Sequence, residues 1–304
     1  MTDISSAAKQ APSRAASRSA RGASALVHLD VSALSHAGHV RSNNEDQFFV
    51  TRATRSLQTM LSSLPDGDVP ERADEVNYVM VVTDGMGGHA AGEVASRMAI
   101  SALVGLALEI PDWIFRADEK HLPEMRRRMR EAVQQVSVML NERGREDSAL
   151  RGMGSTLTAA RSCGRDLVIV HVGDSRAYLF RDGRVKRLTR DHTYAQMLID
   201  KGQASPGDAT LLRLRHILTN ALGGSDAYVD VDVDLVRLED GDRLLLCTDG
   251  LTDCVDDDAI AATLHGARPA KEACDRLVQR ALDGGGRDNI TVIVAAFAFP
   301  TPGA

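Results

Sequence analysis

Apolar and polar positions recur with two different periods along this chain, and these periods predict its strands and helices. Alternation with a period of two in "HLDVSALS" (28–35), and apolar runs in "DQFFV" (46–50) and "NYVMVVT" (77–83), predict strands. Further strands are predicted at "STLTAARS" (155–162), "DLVIVHVGDSRAYLF" (166–180), "RVKRL" (184–188), "YVDVDVDLV" (228–236), "DRLLLC" (242–247) and "NITVIVAAFAF" (289–299). Asp182-Gly183 is typical of a hairpin turn between two of them.

Helical spacing predicts four helices between these strands. Residues 92–108 are rich in Ala, Leu, Val and Met and suit a buried helix. Within 119–142, apolar residues recur at intervals of three and four, which predicts an amphipathic helix. Shorter helices are predicted at "YAQMLIDKG" (194–202) and "EACDRLVQRAL" (272–282). Strands and helices do not alternate strictly, so the pattern predicts an α+β fold with largely antiparallel sheets.

Other segments lack such periods. Residues 1–26 combine Ala, Ser and scattered Arg without an apolar stretch, which predicts a disordered tail and not a secretory signal. Residues 51–76 are polar and contain the turn-forming "LPDGDVP", so they are interpreted as an inserted loop. Residues 203–216 are polar and irregular. We expect one domain over 27–298, followed by a short tail at 299–304.

Composition and charge exclude several classes of function. The formal net charge is −6 and aromatic residues make up 4% of the chain, so neither a basic surface nor a base-stacking platform for nucleic acid is expected. No apolar run approaches the ~20 residues of a membrane span. The four cysteines form no Cys-x-x-Cys pair, which is typical of reduced thiols and predicts a cytoplasmic protein.

Acidic residues stand where the apolar strands begin or end. Asp84, Asp174 and Asp249 follow apolar runs, whereas Asp46 and Asp288 precede them, and Glu45 is adjacent to Asp46. If these ends meet at one edge of the core, the carboxylates cannot all stay ionised without a counter-charge. Either several of them are protonated or cations lie among them.

An all-oxygen set of ligands favours Mg²⁺ or Mn²⁺ over zinc. Glycine follows Asp84 and Asp249, and a residue without Cβ lets the backbone approach a metal closely. Each Asp-Gly alone is more often an ordinary turn. Their repetition at strand ends favours a two-metal site, and such sites activate water and stabilise in-line displacement at phosphorus.

Six stretches of the chain carry a resemblance to a known family. They are "RSNNED" (41–46), "VVTDGMGGHAAGE" (81–93), "GMGSTLTAA" (152–160), "HVGDSRAYLFRDG" (171–183), "LLLCTDGLTD" (244–253) and "GGGRDNITVIV" (284–294). In content and order they resemble the metal-dependent PP2C-type (PPM) protein serine/threonine phosphatases in their bacterial form. The resemblance implies a central β-sandwich of two antiparallel sheets flanked by helices, with a metal cleft at one end.

The resemblance also implies a ligand set. Asp84 would bridge two metals, the carbonyl of Gly85 would ligate one of them, and Asp249 and Asp288 would hold the other. A third, weaker ion would lie between Asp174 and Asp249. The metals would be Mn²⁺ or Mg²⁺, and a metal-bridging hydroxide would attack phosphorus directly, without a covalent enzyme intermediate.

Other positions that match the family have supporting roles. Glu45 and Asp46 resemble acids that act largely through metal-bound waters. Arg41 resembles the arginine that binds the substrate phosphate, for which its planar donor fork is suited. His89 matches a bacterial pattern, and either His89 or a metal-bound water would protonate the leaving alkoxide. Residues at about 194–216 occupy the position of the family's flap.

Two alternatives accompany this interpretation. Cys274 and Arg280 satisfy the Cys-x5-Arg spacing of cysteine phosphatases, but Cys274 lies in an apolar helical stripe, so it is interpreted as a core residue. A pseudophosphatase that binds phosphoproteins would lack metal ligands, whereas here every ligand position is filled. The expected partners are Ser/Thr-phosphorylated proteins, including a partner kinase, with the chain acting as a monomer. Five other histidines are interpreted as structural or solvent-facing: His36, His39, His171, His192 and His216.

Overall fold

The computed structural model describes residues 27–65, 67–87, 90–109, 122–224 and 228–299. The predicted tail at 1–26, residues 300–304 and His89 lie outside these ranges. Within them there are twelve strands: β1 His28–His36, β2 Asp46–Gln58, β3 Arg72–Met86, β4 Gly154–Ser155, β5 Leu157–Cys163, β6 Asp166–Val172, β7 Arg176–Arg181, β8 Arg184–Arg187, β9 Leu222–Gly223, β10 Asp232–Arg237, β11 Arg243–Cys247 and β12 Ile290–Ala298.

The strands form two sheets in which every pair is antiparallel. One sheet has the order β1-β12-β11-β7-β8, and the other has the order β10-β6-β5-β3-β4-β9 with β2 paired to β3. A core of buried side chains lies between them, contributed by both sheets, with Met80, Ile169, Leu246 and Ile293 among its members. The structure is therefore a β-sandwich, as the family resemblance implies.

The described residues also form six α-helices, most of which pack on the outer faces of the two sheets. They are α1 Ala90–Glu109, α2 Leu122–Glu146, α3 Tyr194–Asp200, α4 Asp249–Thr252, α5 Asp257–Gly266 and α6 Ala270–Asp283. Helices α1 and α2 share an apolar cluster with the β2–β3 sheet, and α4 to α6 share one with the sheet of β11 and β12. The predicted α+β class, with helices flanking two antiparallel sheets, is confirmed.

Helix α1 is unusually apolar. In the described part of the chain, only its Ala91–Leu108 segment is long and apolar enough to cross a membrane, as judged by length and composition. The core helices of soluble proteins meet the same test. In the fold, Ala95 and Ala99 are fully buried in the cluster that α1 forms with α2 and the adjacent sheet, so one face of α1 packs against the domain.

The predicted extent of the inserted loop, residues 51–76, is wrong. Strands β2 and β3 continue through this region in one register, from Thr51 opposite Val79 to Gln58 opposite Arg72, so only residues 59–71 connect them. Strand β5 pairs with β3 only from Asn77 onward, so the outer part is a two-stranded ribbon. Both faces of this ribbon are largely exposed, and the apolar alternation that marks a half-buried strand is therefore missing from its sequence.

The predicted C-terminal boundary of the domain, residue 298, is also wrong, because the packed domain extends to Phe299. Phe299, assigned to the tail, is 5% exposed and its ring stacks on that of Phe297, with 6.5 Å between centroids. The guanidinium of Arg165 lies 4.2 Å above the Phe299 ring, and the Phe299 N–H donates to Asp240 Oδ1 at 2.8 Å. The packed domain therefore includes Phe299, because this last aromatic closes the end of the sandwich core.

Candidate active site

The strand-end acids meet in one cleft at one end of the sandwich. Asp46 and Asp84 are directly opposite each other across the β2–β3 pair. Asp249 is the first residue of α4, immediately beyond β11, and Asp288 stands two residues before β12. Asp174 occupies the turn between β6 and β7. Both sheets thus contribute carboxylates to the same place.

The charges of these acids act on one another. The pKa of Asp84 is well above its ordinary value, first because the group is buried and then because Asp46, Asp249, Asp174 and Asp288 repel its negative charge. The pKa of Asp174 is raised well above its ordinary value by burial and by Asp249. Such a set cannot hold all its charges without cations.

The cleft that contains them measures about 1020 Å³. Its lining includes Arg41, Glu45, Asp84, Asp174, Asp249 and Asp288. Asp46 does not reach the surface of the cleft and lies beneath it, 3% exposed. Seven of the predicted site residues, counting Gly85, are therefore gathered around one cavity, with Asp46 behind them as the eighth, while His89 falls outside the described residues.

Hydrogen bonds fix the backbone of Asp84. Its N–H donates to Thr156 Oγ1 at 2.9 Å, and its carbonyl accepts from the Thr156 N–H at 2.8 Å and from Ser155 Oγ at 3.1 Å. Thr156 Oγ1 in turn contacts Ser175 Oγ at 2.8 Å, one residue after Asp174. These hydroxyl residues, in "GMGSTLTAA" and "HVGDSR", orient two of the acids.

Glycine at position 85 is required by close backbone packing. A Cβ on Gly85 would lie 2.0 Å from the carbonyl oxygen of Gly92 in α1 and 3.0 Å from that of Glu45. A Cβ on Gly92 would lie 2.3 Å from Glu45 Oε2. The start of α1 can therefore approach the end of β3 closely, and the Glu45 carboxylate is held over this contact. Sequence reasoning did not identify Gly92.

Asp46 is the least hydrated of the acids. Thr248 Oγ1 donates to its Oδ2 at 2.8 Å, and its Oδ1 has no hydrogen-bond partner. Burial raises the pKa of Asp46 to about 7, while hydrogen bonds from Thr291 and Thr248 oppose this rise. Because Thr248 directly precedes Asp249, the contact joins the end of β2 to the end of β11.

Arg41 lies at the rim of the cleft. Its Nη2 donates to Asp288 Oδ2 at 2.6 Å, and this contact raises the pKa of the guanidinium. The side chain is 56% exposed, so part of its donor fork faces solvent. Arg41 is thus close to the acids that a bound phosphate would approach.

Two further site residues were not found from the sequence. His216, interpreted as structural or solvent-facing, has its Nδ1 3.7 Å from Asp249 Oδ2, and the Asp249 carboxylate raises the pKa of His216. Ligand atoms of His216, Asp249 and Asp253 all lie within 4.8 Å of one another. Asp253 follows Asp249 by four residues, which is a helical spacing that could have indicated it. Nothing near His216 in the sequence indicates its contact.

The donor set fits hard divalent cations. The cleft gathers carboxylate side chains from both sheets, and one buried carboxylate oxygen without a hydrogen-bond partner, Asp46 Oδ1, lies beneath them. Mg²⁺ and Mn²⁺ prefer such oxygen ligands.

Comparisons with known proteins agree with this geometry. The family model described as Protein phosphatase 2C matches residues 63–284. The serine/threonine protein phosphatase PstP of Mycobacterium tuberculosis is 35% identical over 267 residues, which cover 88% of this chain and 45% of PstP. The serine/threonine phosphatase stp of Listeria welshimeri is 34% identical over 257 residues, which cover 84% of this chain and 91% of the relative.

Solved structures give the same result. The catalytic domain of PstP, crystallised in complex with two manganese ions, is 35% identical to this chain and superposes with a TM-score of 0.69. The match covers 90% of this chain and 100% of that domain, although the chain spans less than half the length of the M. tuberculosis relative itself. As its six motifs predict, the chain belongs to the protein phosphatase 2C family.

Proposed function

We propose that this chain is a metal-dependent protein serine/threonine phosphatase that hydrolyses phosphoserine and phosphothreonine. The observation that carries the proposal is the cluster of strand-end acids that both sheets contribute to one open cleft. The named phosphatases among its relatives support the same activity. A site built from carboxylates and one arginine suits binding of a phosphate through cations.

Two divalent cations, Mn²⁺ or Mg²⁺, would be held by Asp84, the Gly85 carbonyl, Asp249 and Asp288. When bound, such a pair supplies a Lewis acid that activates water and neutralises the phosphate charge. Thr156 keeps the Asp84 backbone in place through the two hydrogen bonds described above. The chain itself thus supplies the rigid frame for this chemistry.

Supporting residues complete the proposed machinery. Glu45 and Asp46 would orient the metal ligands through water and hydrogen bonds. Arg41 would donate to the substrate phosphate with the part of its guanidinium that does not contact Asp288. The proton for the leaving alkoxide would come from His89 or from water.

A third, weaker ion is proposed between Asp174 and Asp249. Burial and then repulsion by Asp249 raise the pKa of Asp174, and this repulsion supports the proposal because it indicates that the two carboxylates share a site. Asp174→Ala should therefore retain two tightly bound ions and lose turnover on phosphopeptides. Calorimetric titration with Mn²⁺ beside kinetics checks this, and loss of a tight site would instead make Asp174 a primary ligand.

The two alternative functions find no support. Cys274 is buried in α6, burial raises the pKa of its thiol to about 11, and its Sγ contacts the Ser32 carbonyl at 3.3 Å. Such a thiol does not ionise at neutral pH and does not face a phosphate. A pseudophosphatase would show replaced acids, whereas five of the predicted acids line the cleft and the sixth, Asp46, lies beneath it.

The proposed substrates are Ser/Thr-phosphorylated proteins, including a partner kinase. The flap, residues 194–216, would contact them, because Arg215 and His216 line the cleft. A cytoplasmic location is proposed because Cys163, Cys247, Cys254 and Cys274 are all free thiols, as is usual in a reducing compartment. A monomer would suffice, since one chain supplies every residue of the proposed site.

The test is hydrolysis of a phosphothreonine peptide by the full chain. Activity should require Mn²⁺ or Mg²⁺ and should vanish with a chelator. Asp84→Asn and Asp249→Asn should each abolish nearly all turnover, whereas the matched control Cys274→Ser should retain it. Full activity in chelator, or loss of activity in Cys274→Ser, would overturn the proposal.

A further inference from the structure

The flap leaves the sandwich and returns to it at one point. Thr193 and Leu218 form an isolated bridge, and the Tyr194 N–H donates to the Ile217 carbonyl at 2.8 Å. Next to this bridge, on the side away from the flap, the Thr219 N–H donates to the His192 carbonyl at 2.8 Å. The two ends of the flap are therefore joined at His192.

The ring of His192 makes polar contacts with both nitrogens. Nδ1 accepts from the backbone N–H of Gly173 at 3.2 Å and from Asn220 Nδ2 at 2.8 Å. A backbone N–H can only donate, so Nδ1 carries no proton and the proton lies on Nε2. Nε2 donates to Asp232 Oδ2 at 3.1 Å. The His192 side chain is only 15% exposed.

Gly173 connects this ring to the acids. The His192 N–H also donates to the Gly173 carbonyl at 2.7 Å, so the two residues are bonded twice. Gly173 has a φ of 107° and directly precedes Asp174, and a Cβ there would lie 2.6 Å from Thr156 Cγ2. Thr156 is the residue that holds the Asp84 backbone.

We propose that His192 is a positioning residue that fixes both ends of the flap to the turn that presents Asp174. The Nδ1 atom makes this link, because it accepts hydrogen bonds from Gly173 on one side and from Asn220 on the other. Asn220 is itself bonded to the backbone of Asp230 through both ends of its amide, at 2.6 Å and 3.2 Å. The role in substrate turnover rests on the proposed phosphatase function, whereas the link to the flap does not.

A purely space-filling role for the ring is the alternative. The His171 ring lies beside it, with 4.9 Å between centroids, so an aromatic ring would pack there without any polar role. Two variants separate these roles. In His192→Asn, the amide oxygen takes the place of Nδ1, whereas in His192→Gln the amide nitrogen takes the place of Nε2. Both lose the ring, but only the Asn variant keeps the acceptor for Gly173.

The first experiment is limited trypsin digestion of the full chain, with cleavage at the flap residues Lys201, Arg213 and Arg215 followed by mass spectrometry. His192→Asn should be cleaved at close to the wild-type rate. His192→Gln should be cleaved about tenfold faster, because a buried N–H loses its acceptor. If His192→Gln does not fold, Asn220→Ala removes one of the two Nδ1 contacts and should accelerate flap cleavage in the same direction.

The second experiment compares a phosphopeptide with p-nitrophenyl phosphate, a substrate that has no peptide chain to lie along the flap. In His192→Gln, kcat/KM should fall more for the peptide than for the small substrate. In His192→Asn, the ratio of the two kcat/KM values should stay at its wild-type value. A mere loss of folded protein would lower both values equally. Equal behaviour of the two variants in both experiments would overturn the proposal. Absence of phosphatase activity in the wild type would refute the proposed function and leave the digestion result to decide the role of His192.

Discussion

Removing the charge of Asp46 should stabilise the protein when no metal is bound. The carboxylate is 3% exposed, has one unpartnered oxygen, and has a pKa raised from 3.8 to about 7. A folded-state pKa above the unfolded one means that the charged form opposes folding. In Asp46→Asn the amide oxygen can still accept from Thr248, so the substitution removes the charge and keeps that hydrogen bond.

The magnitude follows from the two pKa values. Their difference corresponds to about 4 kcal/mol of unfolding free energy at pH 7 and above. As the pH falls from 7 toward 3.8, Asp46 is already protonated in the folded protein and becomes protonated in the unfolded chain too. The stabilisation by Asp46→Asn should therefore shrink to about 1 kcal/mol near pH 4.5.

Thermal unfolding in chelator at pH 8 and pH 4.5 measures this difference. At about 2–3 °C per kcal/mol for a domain of this size, Tm should rise by about 10 °C at pH 8 and by a few degrees at pH 4.5. Asp242→Asn is the matched control, because Asp242 is equally buried but accepts from Arg181 at 2.8 and 2.6 Å. That variant should lose stability at both pH values. A gain for Asp46→Asn that does not depend on pH would refute this reasoning.

Two further substitutions test the cleft. Arg41→Ala should lower kcat/KM for phosphopeptides by about 10- to 100-fold, mainly through KM, because a charge-assisted contact with phosphate is lost; unchanged steady-state kinetics would show that Arg41 does not bind the phosphate. Gly85→Ala should lower both Tm and turnover, because its Cβ would lie 2.0 Å from the Gly92 carbonyl oxygen. The control Gly105→Ala in α1 meets no atom within 4 Å and should stabilise the protein by about 0.5–1 kcal/mol. Equal effects of the two substitutions on Tm would contradict the close packing at Gly85.

Local patterns in the sequence predict the antiparallel α+β fold and the acids at strand ends, whereas the sandwich itself follows from the resemblance to the phosphatase family. An apolar strand that ends in Asp-Gly is visible in a few residues. The strand ends of an antiparallel sheet lie along two opposite sides of the sheet, which limits where the acids can be. Asp84 and Asp249 were identified in this way. The chemistry of the ligands, all oxygen, was equally readable from residue types.

Features that depend on distant contacts could not be predicted. The hydrogen bond between Thr248 and Asp46 joins residues that are 202 positions apart. His216 reaches Asp249 only because the flap folds back along the cleft. The outer ribbon of β2 and β3 was missed for another reason, since a strand exposed on both faces carries no burial pattern. Its pairing depends on backbone hydrogen bonds and on polar contacts such as that of Ser56 Oγ with Asp74 Oδ1 at 2.6 Å.

The cleft depends on the assembly of both sheets. Asp84 ends a strand of one sheet, whereas Asp249 and Asp288 flank strands of the other, so the acids come together only after the sandwich has formed. Their burial and their mutual repulsion then oppose the packing that brings them together, and both raise the pKa of Asp84. Cations among these carboxylates would replace that repulsion by attraction across the two sheets. The same carboxylates would then both bind the metals and couple metal binding to the stability of the fold.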